Sequence, residues 1–153
     1  MRTAVFAGSF DPITKGHEDI VRRAVPIFDK IIVAMGINSE KKYYFDQEKR
    51  LEFLNTVFAK YKNVEVDTYS NLTAFYCKEK GAEFLLRGLR NSTDFDYEST
   101  IANLNATIGD GIETVFFIAD AKFSCYSSTV VREIIKGGGD PSVFLPEEII
   151  DML

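Results

Sequence analysis

A single histidine, His17, closes the stretch Gly8-Ser9-Phe10-Asp11-Pro12-Ile13-Thr14-Lys15-Gly16-His17, a combination suited to holding an anion. Gly8 and Gly16 let backbone approach a ligand closely. Ser9 adds a hydroxyl donor, and a neutral imidazole can give its ring N–H to a phosphate oxygen. The same residues would also make an ordinary turn with a helix-capping histidine, and the loop alone does not choose between these readings. Further along stand Lys41 and Lys42, then Arg87-Gly88-Leu89-Arg90, then the hydroxyl run Ser127-Ser128-Thr129. Arginine holds phosphate through parallel hydrogen bonds, whereas lysine does so as a point charge. Paired lysines in a loop are usually solvated, and one serine suffices to cap a helix. An arginine directly after an apolar run is harder to explain as surface decoration.

Other chemistries find less support. His, Cys, Asp and Glu do not cluster at metal-ligand spacing. Cys77 and Cys125 lie too far apart in sequence for a zinc site and read as reduced thiols. No nucleophile stands beside a base, and the GxxxxGK phosphate loop is absent. Phosphoryl or nucleotidyl transfer asks the protein chiefly for positioning and charge stabilisation, which suits this inventory.

These residues gain meaning from the elements that must position them. Apolar runs at 3–7, 30–35, 63–68, 83–86 and 113–118 read as strands. Between and after them, helical spacing appears over 17–28, 47–60 (with Asp46 as N-cap), 72–80 (stopped by Gly81), 94–108 and 127–136. Ile101, Leu104 and Ile108 share one face of the 94–108 helix. Pro146 is placed in the first turn of a final helix over 146–153. Alternation of this kind predicts an α/β fold, a five-stranded parallel Rossmann-like sheet with helices on both faces. Right-handed crossovers bring the strand C-terminal ends to one edge, where open α/β sheets bind ligands. The stretches singled out above all follow strands. Helices beginning near His17 and Ser127 would aim free N–H groups at the same edge.

The 153 residues suit a single domain, 1–153, without linker, repeat or low-complexity segment. Hydrophobic residues make up 46% and charged residues 27%, and no apolar run is long enough for a membrane span. The first residues run straight into a strand and lack the features of a signal peptide, so a cytoplasmic protein is expected. A net charge of −5 argues against general nucleic-acid binding while leaving room for a locally positive pocket.

The Gly8–His17 stretch resembles the first signature of the nucleotidyltransferase superfamily, a glycine-histidine pair after strand one. Tyr126-Ser127-Ser128-Thr129 resembles the second, usually an isoleucine followed by three hydroxyl or small residues. Arg87-Gly88-Leu89-Arg90 followed by Asp94-Phe95-Asp96-Tyr97-Glu98, with Gly138-Gly139-Asp140 and Phe144-Leu145-Pro146, is similar to the phosphopantetheine adenylyltransferase family. That resemblance spans nearly the whole chain. It implies transfer of AMP from ATP to 4′-phosphopantetheine, with Mg²⁺ carried by the ATP phosphates rather than by a protein metal site. The expected product is dephospho-coenzyme A, formed by direct attack with no covalent intermediate.

By the same resemblance, His17 and Ser9 hold the α-phosphate, joined on the ATP side by Phe10, Gly88, Leu89, Arg90 and Glu98. Phe123, Ser124, Cys125 and Tyr126 cradle the nucleotide, with Ser127, Ser128 and Thr129 at the β- and γ-phosphates. Lys41 and Arg87 hold the acceptor phosphate, with Lys41 able to bridge to ATP, and Ser9 and Thr73 also meet the acceptor. The resemblance further implies a homohexamer, and coenzyme A is a feedback ligand to test. Departures are Tyr126 for isoleucine, Thr129 for the third serine, Thr73 for a larger apolar residue, and Ala106 for a basic one. Ala119-Asp120-Ala121 stands where a proline-containing stretch is more common. Competing readings are a superfamily member acting on nicotinate mononucleotide or a phosphoalcohol, a non-catalytic adenine-nucleotide sensor, and, more remotely, a flavodoxin-like electron carrier.

Overall fold

The five apolar runs become five strands in the computed structural model, which describes residues 1–153. They are β1 Thr3–Gly8, β2 Lys30–Gly36, β3 Val64–Tyr69, β4 Phe84–Leu89 and β5 Glu113–Ile118. All pair in parallel, in the order β3-β2-β1-β4-β5. Sequence order reverses direction between β1 and β4, and that switch point is where α/β sheets open a crevice. The helices are α1 Lys15–Ala24, α2 Gln47–Phe58, α3 Thr73–Glu79, α4 Ser92–Ile108 and α5 Ser128–Lys136.

Several boundaries differ from those expected, each for a local reason. Helix α1 starts at Lys15 because Thr14 is its N-cap, and it ends at Ala24, two residues before Pro26, instead of running to Phe28. Strand β4 runs on to Leu89, so Arg87 and Gly88 lie inside the strand and not after it. Alternation sends their side-chain positions to opposite faces. Arg87 meets Glu98 of α4, and a Cβ on Gly88 would stand 3.3 Å from Ile20 of α1. Gly88 therefore lets α1 pack close to the sheet. Asp46 caps α2 as expected, accepting the Lys49 N–H, and Gly81 after α3 takes a positive φ of 66°. The C-terminal segment winds as a 3-10 turn over Glu147–Met152, with Pro146 outside it as N-cap rather than in the first turn of an α-helix.

A core of 19 buried residues fills the face covered by α1, α2 and α5, with Phe53, Phe58 and Leu145 essentially inaccessible. The α3 and α4 face has nine. Helix α4 buries only Glu98 of its 17 residues, and Leu104 and Ile108 of the expected apolar face are exposed. Of that stripe, Ile101 is half-buried beside a cavity, while Leu104 and Ile108 are left exposed within this chain.

Candidate active site

His17 is the third residue of α1, where its imidazole completes a capping box. Nδ1 accepts the Thr14 backbone N–H at 3.0 Å, and Thr14 Oγ1 accepts the His17 N–H at 3.4 Å. With Nδ1 accepting, the ring proton sits on Nε2, which remains a free donor. The two readings of this histidine are therefore compatible, since one ring nitrogen caps the helix and the other faces the cleft. Burial, followed by the positive charges of Arg87 and Arg90, lowers its pKa from 6.5 to about 4, which keeps the ring neutral. Phe10, at φ 47°, packs its ring edge-on to His17 with centroids 5.2 Å apart. Phe10 thus braces the imidazole on one side.

Arg87 lies at the centre of the cleft. Its Nε and Nη2 form a fork with both Glu98 oxygens, at 2.9 and 2.6 Å, and Nη1 donates to the Ala7 carbonyl at 2.7 Å. Burial alone would lower its pKa, but the Glu98 hydrogen bonds and charge outweigh burial and raise it. The guanidinium is fixed in place, and its remaining N–H donors stay available. Arg90 is held likewise by Asp94, with Nε 3.1 Å from Oδ2. Both carboxylates are thereby committed to orienting arginines.

Two cavities meet at this point. The larger, about 720 Å³, is bounded by Ser9, Lys41, Thr73, Tyr69, Ile101 and Asn105. The smaller, about 260 Å³, is bounded by Phe10, His17, Gly88, Arg90, Phe123 and Tyr126, and reaches Ser127 and Ser128. Ala7, Gly8, Arg87 and Glu98 belong to the walls of both. Lys41 Nζ lies 3.2 Å from Ser9 Oγ, which brings the two loops together on the larger-cavity side. Thr114 Oγ1, deep along that cavity's wall, is a buried side-chain polar atom without a partner.

Not every residue expected on the nucleotide side lines the smaller cavity. Ser9 lines only the larger one. Leu89 is buried, and Ser124, Cys125 and Thr129 border neither cavity. The hydroxyl run is already in use: Ser127 Oγ caps α5 by accepting the Val130 N–H, Ser128 Oγ donates to the Pro12 carbonyl at 2.7 Å, and Thr129 Oγ1 accepts from Arg132. The anion-binding capacity here resides in the first backbone N–H groups of α5, which have no intrahelical partner.

The structure also supplies residues that the sequence reading passed over. Arg50 of α2 is 1% exposed, donates to the Ser9 carbonyl at 2.8 Å and the Phe45 carbonyl at 3.1 Å, and lies 3.7 Å over the Tyr43 ring. Buried Asp11 accepts the N–H groups of Tyr44 and Phe45 at 2.7 and 2.8 Å. Arg132 donates to the Asp11 carbonyl at 2.8 Å. These contacts lock the β1–α1 loop to the loop bearing Lys41 and to α5. Arg50 falls three, four and seven residues before Phe53, Leu54 and Val57. A charge on that buried stripe is the signal that marks it.

A parallel sheet that opens two joined cavities at its switch point, lined by cations and helix N-termini, is the frame of a nucleotide-transferring protein. The model of the cytidylyltransferase-like family matches residues 5–134, which gives the class. A protein of Flavobacterium psychrophilum is 48% identical over 97% of this chain and 98% of its own, and one of Cytophaga hutchinsonii is 49% identical over 97% and 99%. One of Leptospira biflexa is 45% identical over 98% of this chain and 94% of its own, and all three are named phosphopantetheine adenylyltransferase. The chain belongs to the phosphopantetheine adenylyltransferase family. The fold alone is shared with the lipopolysaccharide core biosynthesis protein of Thermoplasma volcanium, at a TM-score of 0.59 and 17% identity over 78% of this chain and 98% of that one.

Proposed function

We infer that the chain transfers AMP from ATP to 4′-phosphopantetheine, releasing pyrophosphate and forming dephospho-coenzyme A. The observation that carries the mechanism is the pair of cavities sharing the Arg87–Glu98 wall, with His17 on one side and Lys41 on the other. The acceptor lies in the larger cavity with its phosphate near Lys41 and Arg87. ATP lies in the smaller one, its α-phosphate at His17 and its outer phosphates toward the N-terminus of α5. An oxygen of the acceptor phosphate attacks the α-phosphorus, the bond from that phosphorus to the β-bridging oxygen breaks, and pyrophosphate takes the electron pair. The attacking oxygen is already anionic, so no general base is needed, which fits carboxylates committed to arginines. His17 Nε2–H and the free donors of Arg87 stabilise charge on the transferring group.

Mg²⁺ is proposed to come with the nucleotide as MgATP, where it would offset the charge of the phosphates. The other acceptors and the non-catalytic sensor are not favoured by relatives that carry this single name. We further propose a homohexamer; exposed Phe95, Tyr97, Leu104 and Ile108 along α4 and Ile118 at the end of edge strand β5 support association between copies. Light scattering that gave a monomer would refute that assembly. Coenzyme A carries the same arm as the acceptor and is proposed to compete for the larger cavity; independent binding of the two would refute it. No helix is long and apolar enough to cross a membrane. Free Cys77 and Cys125 suit the reducing cytoplasm.

The test is pyrophosphate release from MgATP with 4′-phosphopantetheine, nicotinate mononucleotide or a phosphoalcohol. Release is expected with the first alone. Release with another acceptor, or with none, overturns the assignment.

A further inference from the structure

We propose that Tyr69 and Thr73 form a hydroxyl pair that hydrogen-bonds an amide of the acceptor's arm, and so select an amide-bearing acceptor over a bare phosphomonoester. This rests on the function inferred above and goes beyond it by naming how the arm is read. The phosphate of the acceptor occupies only the Lys41 and Arg87 end of the larger cavity. The rest of its wall mixes apolar Leu72, Leu85, Ile101 and Ala102 with polar Tyr69, Thr73, Asn105 and Thr114. An arm containing amides needs polar partners within such a wall, because an amide stripped of water without a partner is costly.

Tyr69 Oη and Thr73 Oγ1 stand 3.0 Å apart in that wall. Two hydroxyls bonded to one another use one O–H and leave the second O–H free, together with unused lone pairs. A donor and an acceptor side by side match the N–H and C=O that an amide offers. Tyr69 is at the end of β3 and Thr73 opens α3, so both are anchored by regular structure.

The pair is also held in place before any ligand arrives. The Tyr69 ring stacks on Tyr76 at 4.8 Å and 28°. Tyr76 Oη donates to Asp67 at 2.7 Å, and Lys80 Nζ meets the same carboxylate at 2.8 Å. On the other side is Gly36, where a Cβ would come within 3.6 Å of the Tyr69 hydroxyl. A side chain fixed from both sides loses little freedom on binding, and its hydrogen bonds then contribute more of their strength to affinity. The family resemblance noted in the sequence would put a larger apolar side chain at Thr73. A polar pair at this place is a feature of this chain's own residues.

Tyr69→Phe and Thr73→Val each remove one hydroxyl and keep the shape. Steady-state kinetics with saturating MgATP are measured on both variants and the parent, using 4′-phosphopantetheine and the amide-free acceptor pantoyl phosphate. Each variant is expected to raise KM for 4′-phosphopantetheine roughly threefold to tenfold with kcat little changed. With pantoyl phosphate the variants and parent should coincide. An unchanged KM for 4′-phosphopantetheine, or equal loss with both acceptors, overturns the inference while leaving the function standing. A fall in melting temperature with KM unchanged makes the pair purely structural and overturns it as well. Absence of turnover by the parent chain itself would remove the function and this inference together.

Discussion

The two faces of the sheet are built for different tasks. On the α1, α2 and α5 face, 19 buried residues fill the space. On the α3 and α4 face, nine do, and a cavity of about 720 Å³ extends beside them. His17 belongs to the filled face and is braced by Thr14, Phe6 and Phe10. In the role proposed for His17, a donor aimed at charge that develops only in the transition state must not move, and close packing supplies that rigidity. In the reaction proposed above, the acceptor arm would take the room that the second face provides. The contrast is that, within one small sheet, the larger buried core lies behind the histidine and the larger cavity opens on the other face.

Breaking the filled face should have the largest effect. Phe53→Ala is expected to destabilise the fold by about 3–5 kcal/mol, measured by denaturant unfolding, because a fully buried ring is lost from a closed core. His17→Ala should lower kcat by roughly 10²–10³ while changing ATP binding much less. A near-normal kcat would remove the role given to His17.

On the hollow face, Ala102→Leu should leave the melting temperature almost unchanged and raise KM for the acceptor roughly tenfold or more, since the added methyl groups enter the cavity. If instead stability rose and KM held, the cavity would be slack and not a binding site. The pH response sharpens the same contrast. His17 has its pKa depressed to about 4, against 6.5 when unfolded. Its contribution to stability is therefore complete above 6.5 and is lost as pH falls toward about 4, because the unfolded chain takes up the proton first. Urea titrations across that range should show the loss, and His17→Asn should flatten it. The smallest effect belongs to the uncovered stripe. Leu104→Ser should change the stability of the isolated chain by no more than about 0.5 kcal/mol, yet shift any assembly toward smaller species in light scattering.

Much of this architecture was legible in the sequence. Apolar runs located all five strands, and Asp46 and Gly81 marked true helix ends. Strand β4 was read too short because Arg87 and Gly88 do not look like strand interior. The structure accommodates them with Glu98 on one face and close-packed Ile20 on the other, and both partners are remote in sequence. The periodicity of α4 was plain, but periodicity cannot say whether a stripe meets the same chain or another. For the site, the glycine-histidine loop, Lys41 and Arg87 were visible by type and position. Arg50, Asp11 and the Tyr69–Thr73 contact were not singled out as a network, because each depends on backbone groups or side chains brought together only by the fold. The hydroxyl run drew attention to side chains, whereas the structure leaves the open donors on the backbone of α5.

The wall common to both cavities has a consequence for what happens after the bond forms. In the reaction proposed above, the joined product would carry one group for each cavity on a single molecule. Once either half is seated, the other meets its own cavity at a high local concentration, and rebinding becomes intramolecular. Such a product would be a tethered, two-handed ligand for the chain that made it, and its release would require the second grip to open before the first re-forms.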